Sequence, residues 1–202
     1  MKPDAGGAVG IRVGSRRQTV AVGEALAACL RAGDLVALDG DLGAGKTAMA
    51  EGIARGLGVR GPVASPTFSL LHPHPAGRPG GLALYHADAY RLNHPDEFGE
   101  AGLDDILYQG GVTLVEWASL LDGVLPADRI RVDLLQVCDD EFRSGMPDET
   151  PDRTGEEPRW IRIRWPAGRE DDREVFLSRL SALPDGADLA PGEAGNGERG
   201  TP

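Results

Sequence analysis

An α/β fold, with a mixed sheet flanked by helices, is predicted for this 202-residue chain by three observations. The apolar run Leu35–Leu38 breaks into Gly40-Asp41-Leu42-Gly43-Ala44-Gly45-Lys46-Thr47, and Thr47–Arg55 can open a helix directly behind it. A second buried run, Val112–Val115, reads as another strand. Ile130–Leu134 and Ile161–Trp165 alternate apolar and polar residues, as half-exposed antiparallel neighbours do.

The elements follow in order. Gly10–Ser15 reads as a short first strand. In Thr19–Leu30, Val22, Ala25, Leu26, Cys29 and Leu30 recur at helical spacing, and Gly33 follows as a stop. The loop strand and its helix come next, the helix ending near Gly56-Leu57-Gly58. Thr67–Leu71 and Leu82–His86 read as strands joined by a Pro/Gly-rich loop, hence an antiparallel hairpin. Short helices are expected over Pro95–Leu107. A final helix is expected over Asp171–Leu180, burying Val175, Phe176 and Leu180.

The net charge of −11 is concentrated in two segments. Residues 139–157 hold eight acids against Arg143 and Arg153, and residues 183–202 hold four against Arg199. Both are rich in Gly, Pro and charge, so the expectation is one domain over 1–182 with a flexible acidic insert at 139–157 and a disordered tail over 183–202. No basic stripe marks direct nucleic-acid binding. No long apolar run or signal-type leader is present, and Cys29 and Cys138 read as buried reduced thiols. A cytoplasmic protein is expected.

The loop matches G-x-x-x-x-G-K-[ST] at Gly40, Gly45, Lys46 and Thr47, in a chain whose only other lysine is Lys2. Helix N-terminal N–H groups lack helical partners and the dipole is positive there, so phosphate is attracted, while glycines let the backbone curl around it. The candidate nucleotide contacts are Asp41, Gly43, Ala44, Gly45, Lys46, Thr47 and Ala48. Thr47 and Asp88, the latter just beyond a strand, are candidate Mg²⁺ ligands. Glu116 ends the strand Val112–Val115, where it could orient attacking water or join the metal shell. Trp117 is a candidate nucleotide or partner contact. Ser65-Pro66-Thr67-Phe68 places two hydroxyls where a γ-phosphate sensor would sit, Thr67 being the catalytic candidate. His72, His74 and His86 have no third ligand at metal spacing and read as ordinary polar residues.

These blocks, with Tyr85-His86-Ala87-Asp88-Ala89-Tyr90-Arg91-Leu92 and Val115-Glu116-Trp117, resemble the TsaE family over roughly residues 10–138. Ala48 and Ala64 replace hydroxyl residues common in that family, and Ser119 and Leu120 replace charged ones. The resemblance implies a P-loop NTPase-like fold that takes ATP and Mg²⁺. Lys46 and Thr47 would hold phosphate and metal, Asp88 would be the Walker-B-like acid, and Ser65–Phe68 the switch. Glu116 and Trp117 would be needed for activity. It further implies an ATPase that resets TsaD and TsaB during threonylcarbamoylation of adenosine 37 in tRNAs reading codons that begin with A, and that meets tRNA only through that complex. A P-loop small-molecule kinase is the alternative, although no arginine-rich lid follows the loop. A GTPase is disfavoured, since neither lysine follows an Asn as N-K-x-D requires, and a non-catalytic interaction module is the third class.

Overall fold

The computed structural model describes residues 8–66, 70–92, 94–100, 105, 110–135, 159–183 and 191–193. Eight strands lie in one mixed sheet: β1 (Val9–Val13), β2 (Leu35–Gly40), β3 (Leu71–His74), β4 (Leu84–Asp88), β5 (Val112–Glu116), β6 (Ile130–Leu135), β7 (Arg159–Arg164) and β8 (Pro191–Glu193). Their order is β3-β4-β5-β2-β6-β7-β1-β8. The central four, β4-β5-β2-β6, run parallel, and the outer pairings are antiparallel. The helices are α1 (Arg16–Ala27), α2 (Lys46–Leu57), the single turn α3 (Glu97–Glu100) and α4 (Glu170–Ala182).

The α/β reading, the β3–β4 hairpin and the β6–β7 pairing are all observed, with shifted bounds. The hairpin strands lie C-terminal to their expected positions because parallel pairing with β5 carries β4 on to Asp88. Thr67, Phe68 and Ser69 lie outside the described residues, as do Cys138 and the insert 139–157. Pro73 is accommodated because β3 is an edge strand, where a missing N–H breaks no ladder bond. Within the segment 183–202, Pro191–Glu193 pairs with β1 as the opposite edge, and residues 184–190 and 194–202 lie outside the described residues. Ladder pairing needs only backbone groups, so it can form where few side chains favour burial.

Parallel strands are buried on both faces, and alternation sorts their side chains accordingly. Val36, Leu38, Leu84 and Leu114 join the larger core with residues of α1, α2 and α4. Leu35, Ala37, Ala87 and Val115 point the other way, onto Phe98 of α3 and Leu121 and Leu125. Ser15 caps α1 by accepting from the Gln18 N–H, and Gly58 ends α2 in the left-handed conformation at φ 67°. Phe176 and Leu180 of α4 are buried as expected, but Val175 is 42% exposed, since it falls off the buried face. Cys29 is buried without a disulfide, and desolvation pushes its thiol up to about 12. No helix among the described residues is long and apolar enough to cross a membrane.

Candidate functional site

The sheet delivers three strand ends to one place. β2 ends at the glycine-rich loop, β5 at Glu116 and β4 at Asp88, and the ladder sets Leu38 opposite Glu116 and Glu116 opposite Asp88. Open α/β sheets gather their ligands at these carboxyl ends.

The loop can turn only because Gly40, Gly43 and Gly45 take φ of 147°, 81° and 108°. At Gly40 a Cβ would also lie 2.4 Å from the Leu134 carbonyl oxygen. The Asp41 carbonyl accepts from the Ala44 N–H at 3.1 Å, closing the turn into α2. The Lys46 ammonium donates to the carbonyls of Gly40 (2.5 Å) and Asp41 (2.9 Å), and lies 3.7 Å from the centre of the Trp117 ring. Burial pushes the Lys46 pKa below its ordinary value, opposed by Glu116, Asp88, Asp39 and Asp41.

Both oxygens of Asp88 are held. The Ser65 hydroxyl donates to Oδ2 at 2.7 Å and the Tyr90 N–H to Oδ1 at 3.0 Å. Glu116 is 2% exposed, and its Oε1 lies 2.9 Å from Nε2 of the fully buried His86. Trp117 is the one non-glycine residue with positive φ (58°) among the described residues. That conformation costs a bulky residue about 1–3 kcal/mol, so the surroundings must hold it. Its N–H donates to the Leu38 carbonyl at 2.9 Å, and Tyr90 packs on the ring at 5.0 Å.

Gly43, Gly45, Lys46, Thr47, Ala48, Ser65, Asp88, Glu116 and Trp117 line one cleft of about 660 Å³. Asp41 and Ala44 shape the loop turn without lining that cleft. The structure also adds residues that the sequence analysis did not select. Tyr90, Arg16 and Arg159 line the same cleft, and an Arg159 guanidinium nitrogen lies 3.8 Å from where a Cβ on Gly45 would stand. Arg16 ion-pairs with Glu51 of α2. No local pattern marks an arginine that reaches the loop from distant β7. His86 did carry a signal, standing two residues before Asp88 and so on the same strand face.

The family model for "Threonylcarbamoyl adenosine biosynthesis protein TsaE" matches residues 13–143. The tRNA threonylcarbamoyladenosine biosynthesis protein TsaE of Bacillus subtilis is 42% identical over 124 residues, covering 61% of this chain and 75% of that protein. Its namesake in Streptomyces coelicolor is 46% identical over 112 residues, covering 55% and 74%. The crystal structure of Bacillus subtilis YdiB superposes with a TM-score of 0.63 at 30% identity, over 85% of this chain and 95% of that one. With the phosphate loop, the two strand-end acids and this match over most of the chain, the protein belongs to the TsaE family.

Proposed function

We propose that this protein binds ATP with Mg²⁺ and hydrolyses it in support of threonylcarbamoylation of adenosine 37 in tRNAs reading codons that begin with A, acting with TsaD and TsaB. The observation that carries the reading is the convergence of Lys46, Thr47, Asp88 and Glu116 on one cleft. The loop N–H groups and Lys46 would receive the phosphates. The Thr47 hydroxyl and the Asp88 carboxylate are hard oxygen donors, suited to a Mg²⁺ ion that keeps several waters and takes few protein ligands. That ion would neutralise charge developing on the phosphates. Glu116 would orient the attacking water, and Trp117, fixed over Lys46, would shield the cleft.

The test is reconstitution of the full chain with TsaD, TsaB and tRNA. Expected are ATP-dependent association and repeated rounds of modification that stop with Glu116→Gln while nucleotide stays bound. Modification at full rate without this chain would overturn the reading. ADP release that depends on a small-molecule acceptor would replace it with a kinase.

A further inference from the structure

His86 stands where an aliphatic residue would be expected. It lies on β4 between Leu84 and Asp88, facing the larger core, and its ladder partner is Leu114. The ring is fully buried, and Nδ1 has no hydrogen-bond partner among the described residues. A desolvated polar ring with one nitrogen unmatched is costlier there than a leucine. Its polar contact is Nε2 with Oε1 of Glu116 at 2.9 Å. A carboxylate only accepts, so the ring hydrogen sits on Nε2 and His86 donates.

We infer that His86 is a positioning residue for Glu116, pinning one carboxylate oxygen so that the other faces the cleft. The inference rests on the proposed role of Glu116 in hydrolysis. A free glutamate side chain samples several rotamers, and a water-orienting group that must be found by rotation loses turnover. The diagonal placement makes the contact possible: His86 and Asp88 share a face of β4, and Glu116 is directly opposite Asp88. Asp88 and Glu116 thus receive different support, Asp88 from a loop hydroxyl and a backbone N–H, Glu116 from a core imidazole.

The experiment compares His86→Gln with His86→Met in the full chain. The two side chains have nearly the same length and differ in the N–H donor. With TsaD and TsaB present, the Met variant is expected to lose about tenfold or more in turnover at saturating ATP, with ATP affinity held within about threefold. The Gln variant recovers most of that loss. The double variant His86→Met/Glu116→Gln is expected to be no slower than Glu116→Gln alone. A readout independent of turnover is the His86 side-chain ¹⁵N signal, which Glu116→Gln should move and Glu51→Gln should not. Equal turnover of the Gln and Met variants, or a signal indifferent to Glu116→Gln, overturns the positioning role. Should Glu116→Gln itself keep wild-type turnover, the ATPase role of Glu116 falls instead, and the inference with it.

Discussion

Gly23 of α1 and Gly52 of α2 press together so closely that a Cβ added to Gly52 would lie 2.9 Å from the Gly23 Cα and 2.1 Å from the Val20 carbonyl oxygen. Gly56 repeats the contact one turn later, where a Cβ would meet the Ala27 Cβ at 2.4 Å. Glycine costs a helix interior about 1 kcal/mol relative to alanine, so these positions weaken α1 and α2 as isolated helices. They let the helix that carries Lys46 and Thr47 sit directly on α1.

Gly52→Ala is therefore expected to destabilise the protein, although alanine is the better helix former. The atoms it would strike are backbone and cannot rotate away, and overpacking of this kind costs about 1–3 kcal/mol. A melting temperature lowered by several degrees checks it, and an unchanged or higher one would show that the helices part freely.

Lys46→Ala should abolish ATP turnover while the fold persists. The ammonium is the charged donor aimed at the loop, and losing a charged hydrogen bond costs about 1.5–3 kcal/mol before any transition-state effect. Turnover measured beside a melting curve decides it; wild-type turnover would remove the loop from the chemistry.

For Asp88→Asn the expected change is in metal response. The amide keeps an acceptor for the Tyr90 N–H but lacks the charge that stabilises a hydrated cation. Turnover titrated with Mg²⁺ should shift to higher metal concentration, with ATP affinity changed far less. Superimposable titrations of mutant and wild type would reduce Asp88 to the cap of the turn that follows β4.

His74 supplies a pH dependence. Burial first, then the neighbouring His86 and His72, push its pKa below the ordinary 6.5. Below about pH 6.5 the unfolded chain takes up a proton at this residue before the folded one does, so stability falls as pH falls through that window and is unaffected above it. Melting temperatures measured from about pH 7.5 down to about pH 5 should decline less steeply in His74→Gln. Parallel curves would show that His74 is protonated equally in both states.

The phosphate loop, its strand and helix, and the two acids were legible because each rests on local patterning. Gly40 to Thr47 needs one turn geometry, and Asp88 and Glu116 stand at the ends of apolar runs. What local patterning could not supply was any partner chosen by register. The hairpin bounds slipped because Leu82–Asp88 is apolar enough to start in several places, and only pairing with β5 selects Leu84. Val175 reads as core in a window of helical spacing, yet the side of α4 that packs on α1, where Phe176 and Leu180 are buried, excludes it. The helix contact at Gly23, Gly52 and Gly56 was invisible for a related reason, since glycine gives no hydrophobic signal.

The row Leu38, Glu116, Asp88 acts as a ruler. Adjacent strands stand about 4.8 Å apart whatever their side chains, so the backbone separation of the two acids is set by peptide hydrogen bonding and not by either carboxylate. Chemistry at this cleft can consequently be retuned by exchanging the groups that project from the row, but the interval between them cannot. Lengthening Asp88 by one methylene would extend the reach of its carboxylate by roughly the length of a carbon–carbon bond while leaving the spacing of the strands unchanged.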